Sequence, residues 1–167
     1  VLGWNYRLSE FNAAIALAQL ENSEELINLR IKSARTFIDA MSSCDYLIPQ
    51  YTPPEYENSY YTLAARYEGA EAIGVPWEKF RKKYIELGGD GIYGAWAVPY
   101  LEPVIAKKQF AYRNKALYGS LSFSKGLCPV AEAIQPKIMQ FKTNYRDLEL
   151  AGHKADMLKK TIEYFGS

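Results

Sequence analysis

A chain of 167 residues, 49% apolar and 23% charged, is long enough to bury a core and too apolar to stay disordered. Lys+Arg 20 against Asp+Glu 19 gives a formal net charge of +1, so no general attraction to nucleic acid or anionic lipid follows and any anion site must be local. The two cysteines, Cys44 and Cys128, and the single histidine, His153, match no metal-ligand spacing, which argues against a metal site.

From Ser9 to Ser42 there is neither Gly nor Pro, and helix formers dominate. Ser9 suits the cap of a first turn that carries Glu10 near the positive end of the helix dipole. Ala13, Ala14, Ile15, Ala16, Leu17 and Ala18 are apolar on nearly every face, the pattern of a helix buried on all sides. That is odd for an isolated domain. The run is also far short of the ~20 residues a bilayer span needs. After Asn22-Ser23 the pattern turns amphipathic, with Leu26, Ile27, Ile31, Ala34, Phe37, Ile38 and Met41 on one face and Arg30, Lys32 and Arg35 mostly off it. One long helix of roughly 50 Å is expected if it is straight, and any kink should fall at Glu21 to Ser23.

Pro49, Pro53 and Pro54 make Asp45 to Asn58 an extended loop or edge. In Ser59 to Tyr67, Tyr61, Leu63, Ala65 and Tyr67 alternate with Tyr60, Thr62, Ala64 and Arg66, the period of a strand. Pro76 opens an amphipathic helix from Trp77 to Leu87, which Gly88-Gly89 stops. A second strand is predicted over Ile92 to Val98, short helices over Ala106 to Leu117 and Val130 to Ile134, a third strand over Lys137 to Lys142, and a closing helix over Asp147 to Phe165. The fold class is therefore α+β, a small sheet covered by helices. Its division is expected at residue 43, with a long helix in 1–43 and a compact unit in 44–167.

Catalytic equipment is sparse. Gly88-Gly89-Asp90-Gly91 has neither Walker nor Rossmann spacing, no Gly-x-Ser-x-Gly elbow exists, and His153 reads as a surface side chain on the closing helix. Glu132 and Glu149 fit a charged helix face as well as they fit a carboxylate pair. The thiols are expected buried or half-buried, as in a reducing cytoplasm. Nothing at the start has the basic-then-apolar pattern of a signal peptide, and an opening of Val-Leu-Gly-Trp rather than Met suggests residues upstream. One stretch stands apart: Asn5, Tyr6 and Arg7 put an amide, a phenol and a guanidinium directly before the apolar helix. This is either a helix approach packed in a loop or a site for an anion, since free N–H groups and the dipole both favour phosphate there.

The run Gly3-x-Asn5-Tyr6-Arg7-Leu8-Ser9-Glu10-x-Asn12-Ala13-Ala14-Ile15-Ala16-x-Ala18-Gln19-Leu20-Glu21 resembles a hallmark of the DegT/StrS-type sugar aminotransferases, Gly-x-Asn-x-Arg-Met-Ser-Glu-x-Gln-Ala-Ala-Ile-Gly-x-x-Gln-Leu. Tyr60-Tyr61 with its strand, Gly74-Val75-Pro76-Trp77-Glu78-Lys79-Phe80 and Cys128-Pro129-Val130-Ala131-Glu132 extend the likeness over almost all of the chain. The resemblance implies the small C-terminal domain of a fold type I aminotransferase that uses pyridoxal 5'-phosphate, works as a homodimer with a shared active site, and acts on a nucleotide sugar in the cytoplasm. It implies that Asn5 reaches the cofactor phosphate of the neighbouring subunit, with Arg7 close by to hold that phosphate or the sugar nucleotide. It also accounts for the apolar helix, as a contact with another domain and another subunit.

The family lysine that carries the cofactor lies upstream of this helix, in a Ser-x-x-x-x-Lys segment before a Gly-rich run. Ser120 to Lys125 shares the spacing but stands downstream, before Gly126-Leu127-Cys128-Pro129, and is read as coincidence. No catalytic residue is thus expected here, and the chain alone should be inactive. Many relatives carry a histidine near the proline after the second strand, but Pro99-Tyr100-Leu101-Glu102-Pro103 has none, and Ala16 replaces a family glycine. Tyr93, Trp96 and Tyr100 are candidates for stacking on a sugar or base, against the plainer reading that they are core. The competing functions are a pyridoxal-phosphate sugar dehydratase of the same fold, in which histidine replaces the lysine, and a non-catalytic interaction domain docking through its first helix.

Overall fold

A computed structural model describes residues 6–109, 116 and 119–166. Helix α1 (Glu10–Glu21) is capped by Ser9, whose hydroxyl accepts from the Asn12 N–H, and α2 (Ser23–Met41) follows after a break at Asn22. The Asn22 side chain donates to the Ala18 carbonyl at 2.8 Å, so an amide side chain takes up one carbonyl of the last turn where the helix is interrupted. This is the position at which the sequence pattern changes from all-round apolar to amphipathic.

The sheet runs β1-β2-β4-β3 and is antiparallel throughout. Strand β1 is Leu47–Pro49, β2 is Leu63–Tyr67, β3 is Tyr93–Gly94 and β4 is Ile138–Phe141. Between β2 and β3 lie α3 (Gly69–Ile73) and α4 (Trp77–Glu86); after β3 come α5 (Pro103–Ala106) and α6 (Pro129–Ile134), and α7 (Leu148–Gly166) ends the described chain. Asp147 starts α7 by accepting from the Glu149 and Leu150 N–H groups.

Alternation decides which way the sheet faces. Leu63, Ala65 and Tyr67 of β2 and Met139 and Phe141 of β4 are buried in one cluster with Ala34, Phe37 and Met41 of α2, Phe80 and Tyr84 of α4, and Ala151, Ala155, Leu158 and Ile162 of α7. The Phe37 and Tyr84 rings meet Phe141 at 6.0 and 6.5 Å between centroids, and Phe80 meets Tyr67 at 5.2 Å, so α2 and α4 pack on the same face, and α7 joins the cluster through Ala151, Ala155, Leu158 and Ile162. Each such side chain contributes roughly 1.5–3 kcal/mol by leaving water. The opposite face carries Thr62, Ala64 and Arg66 of the β2 segment and Gln140 and Lys142 of the β4 segment.

Several expectations need correction. The second strand ends after Gly94 rather than at Val98, because the Gln135 side chain takes the Ala95 carbonyl at 3.0 Å and Pro99–Leu101 turns into a 3-10 helix. Of the helix expected at Ala106 to Leu117, Ala106 is the last residue of α5, which starts at Pro103, and Ala116 is helical; residues 110–115 and 117–118 lie outside the described residues. Helix α3 was not foreseen. Helix α1 needs no correction: it has no buried residue within this chain, with Phe11 74% and Leu20 68% exposed, as expected of a helix whose apolar faces await another domain or subunit. Cys44 is half-buried, but Cys128 is exposed, and both are free thiols.

Candidate functional site

The polar approach to α1 is exposed from Tyr6 to Ser9. Arg7 stands three positions before the first helical residue, ahead of a helix whose Ala13 N–H already bonds the Ser9 carbonyl at 2.9 Å. Asn5 lies outside the described residues.

The second group of candidates divides. Tyr93 and Trp96 come together on the open face of the sheet, where they line a groove of about 730 Å³ with Arg30, Thr62, Gln140 and Lys142. Register puts Tyr93 there, since it pairs with Gln140 of β4 and both side chains point away from the core; Trp96 follows past the end of β3. Neither is core, since Tyr93 is 63% and Trp96 88% exposed. The Arg30 guanidinium reaches across from α2 to donate to the Tyr61 carbonyl at 3.1 Å and lies 5.8 Å from the Tyr61 ring centroid.

Tyr100 does not join them. Its hydroxyl donates to Glu132 and accepts from the Cys128 N–H at 3.0 Å. The same carboxylate accepts from the Gly126 N–H at 2.7 Å. Desolvation, followed by the Glu132 carboxylate, pushes the Tyr100 phenol up to about 12. The Tyr100 donor does most to hold the Glu132 carboxyl below its usual range, against desolvation, with the Gly126 and Cys128 amides adding to it. This pair fastens a turn to α6. The Tyr100 hydroxyl and the Glu132 carboxylate are thus engaged with each other and with backbone amides, apart from the groove that Tyr93 and Trp96 line.

Sequence reasoning passed over Arg30, Gln140 and Lys142. The strand alternation already put Gln140 and Lys142 on the polar face, but that Arg30 comes to the same groove depends on how α2 lies against the sheet. Among the described residues no group of His, Cys, Asp and Glu is arranged to hold a metal ion, and no helix is long and apolar enough to cross a membrane.

A four-stranded antiparallel sheet with helices on one face, preceded by an uncovered helix, is the C-terminal domain of the pyridoxal-phosphate aminotransferase fold. The profile of the DegT/DnrJ/EryC1/StrS aminotransferase family matches residues 1–139, and the chain belongs to that family. Among solved structures it is similar to an aminotransferase from Psychrobacter cryohalolentis, with a TM-score of 0.71 and 16% identity over 100% of this chain and 42% of that one. It is similar also to PseC of Helicobacter pylori, an aminotransferase in the biosynthesis of pseudoaminic acid (TM-score 0.68, 17% identity, 99% and 40% covered). A third is the E. coli GDP-4-keto-6-deoxy-D-mannose-3-dehydratase with bound hydrated PLP (TM-score 0.65, 18% identity, 97% and 37% covered). The chain thus spans about 40% of the length of these proteins.

Proposed function

We propose that residues 1–167 form the C-terminal part of a pyridoxal-phosphate-dependent aminotransferase that passes an amino group, from glutamate or a similar donor, to a keto-sugar nucleotide. The family match over residues 1–139 is the observation that carries this reading. Residues 1–43 then bridge to the rest of the enzyme, and 44–167 are its small domain. The lysine that holds the cofactor belongs to the remaining part of the protein, so the chain by itself is inactive.

The residues present suit a phosphate. Arg7 is exposed and carries a charged fork of donors, directly before a helix N-terminus. In the proposed dimer Asn5 and Arg7 hold the cofactor phosphate of the neighbouring subunit and orient the cofactor by that end. When bound, the cofactor carries the amino group and draws electrons from the carbon undergoing exchange. The contribution of this chain is positioning, together with the exclusion of water where α1 packs against the other subunit.

The test is the visible absorbance of the full polypeptide with pyridoxal phosphate, beside its Asn5→Ala and Arg7→Ala variants. A borohydride-sensitive band that weakens in both variants supports the reading. A band that neither substitution alters removes the roles of Asn5 and Arg7. A protein with no such band points to the dehydratase branch, the second reading, which the likeness to the E. coli dehydratase supports, or to a non-enzymatic descendant.

A further inference from the structure

Arg35 and two carboxylates stand in one cleft without meeting. The cleft holds about 610 Å³ between α2 and the loop of residues 52–58, and it shares no lining residue with the groove under Tyr93 and Trp96. Ile31, which is buried, lines it from α2, and Arg35 follows one helical turn further on. The loop supplies Glu55, Tyr56 and Glu57, all exposed. Among the described residues, neither Arg35 nor Glu55 nor Glu57 takes part in an ion pair. The Thr52 hydroxyl in the same lining is buried and has no hydrogen-bond partner, whereas buried polar groups normally have one.

The walls are fixed within the chain. The Tyr56 N–H donates to the Pro53 carbonyl at 3.0 Å and closes a turn around Pro54 and Glu55. Tyr60, at the other side, is left-handed with a φ of 47°, a costly conformation for a residue other than glycine. It is kept there from both ends: its N–H donates to Asn58 Oδ1 at 2.8 Å, and its carbonyl accepts from the Thr143 hydroxyl at 2.7 Å.

Charges of both signs in one cleft select against a simple ion. An anion meets the repulsion of Glu55 and Glu57, and a cation that of Arg35. A small ligand with a positive and a negative end suits all three, and Ile31 and the two tyrosine rings offer apolar surface for the rest of it. We propose that this cleft binds a free α-amino acid with a large apolar side chain, its carboxylate on Arg35 and its ammonium on Glu55 and Glu57. Its carboxylate also supplies an acceptor for the Thr52 hydroxyl as the loop closes on it. The inference goes beyond the enzyme reading and does not depend on it, since neither Asn5 nor Arg7 takes part.

The test is calorimetric titration of the full polypeptide after borohydride reduction, so that no amino acid can react with a cofactor aldehyde. The probes are L-leucine, L-phenylalanine, L-alanine, and the amide and N-acetyl derivatives of the first two. Leucine or phenylalanine should bind about tenfold or more tightly than alanine and than its own two derivatives, each of which lacks one charge. Arg35→Gln should erase the preference over the amide, and the double change Glu55→Gln with Glu57→Gln the preference over the N-acetyl form. These side chains are exposed and lose no ion pair, so the thermal midpoint should not move. Binding that none of these substitutions changes overturns the inference, as does a derivative that binds as tightly as its parent. A normal cofactor band before reduction, with no amino-acid binding at millimolar concentration afterwards, sinks this inference and leaves the enzyme reading standing. Binding sensitive to these variants in a protein that shows no cofactor band does the reverse.

Discussion

The Tyr100 hydroxyl and the Glu132 carboxylate, 32 positions apart, are hydrogen-bonded, and each also holds a backbone N–H of the segment between Gly126 and Cys128. One phenol and one carboxylate therefore fix the turn that leads into α6. Both are surface groups, so their loss should be felt locally. In Glu132→Gln, where the amide oxygen is a weaker acceptor, and in Tyr100→Phe, the Gly126 and Cys128 amides should exchange hydrogen faster. The thermal midpoint of the whole domain should hardly move. Exchange measured by NMR or mass spectrometry decides it, and unchanged protection at both amides would refute the clamp.

The core allows a prediction of magnitude. Leu63 is fully buried between Phe141 of the neighbouring strand and the helices behind the sheet. Leu63→Ala removes its contacts and leaves a cavity, a change that costs about 2–5 kcal/mol in other cores. Urea unfolding should show the midpoint falling with the slope unchanged.

These two cases mark what could be read from the sequence. Leu63–Tyr67 and Ile138–Phe141 were legible because Leu63, Ala65 and Tyr67, and Met139 and Phe141, fall at alternate positions with Arg66 and Gln140 between them, and α4 and α7 because their apolar residues recur at helical spacing. Helix α3, Gly69–Ile73, is too short to show a period. The length of β3 was misread because the Gln135 side chain that ends its pairing comes from far along the chain. Tyr93 and Trp96 read more readily as core, within a predicted strand, than as the exposed aromatics they are. Tyr100 looked alike, since nothing in its neighbourhood announces Glu132. Arg30 was invisible as a groove residue because its partner, the Tyr61 carbonyl, is 31 positions away.

Gly89 gives a steric test. Its amide bonds the Tyr84 carbonyl at 2.8 Å as α4 ends, and an added Cβ would run into the Tyr84 ring, which is buried. Gly89→Ala must push aside a ring that has no free space, at a cost of about 1–3 kcal/mol. The same change at Gly152 of α7, where a Cβ meets nothing, should leave stability unchanged or slightly raised. Parallel thermal melts of the two variants test this, and equal losses would contradict it.

Asp90 links stability to pH. Partial burial works to raise its carboxyl, but the Tyr145 hydroxyl, Lys154 and Lys142 outweigh it and hold the folded value below the usual carboxylate range. A group lowered in this way binds fewer protons folded than unfolded. Its contribution is fully present above the unfolded value, about 4, and is lost as the pH falls through the lower folded one. Asp90→Asn should therefore be less stable than the parent at neutral pH, and the gap should close in acid below about pH 4. Urea midpoints of the two proteins across that range measure the gap. A gap that stays constant down to strong acid would mean that Asp90 acts by shape alone.

The uncovered α1 gives the last prediction. Phe11, Ile15, Leu17 and Leu20 are all at least half exposed on a helix with no buried residue, and they are spread round it rather than gathered on one stripe. Exposed apolar surface of this kind drives association in water. The chain of residues 1–167 in isolation should therefore self-associate in a concentration-dependent way, by contact through α1. Replacing Phe11 and Leu17 together with Lys removes two of the largest apolar side chains and adds mutual repulsion, so the association constant should fall by about tenfold or more, roughly 1.4 kcal/mol. Sedimentation velocity over a dilution series reads this directly, with circular dichroism to confirm that the remainder is folded. A parent chain that stays monomeric at every concentration would show that α1 does not mediate self-association of the isolated chain, and would favour an interaction domain whose first helix waits for a different partner.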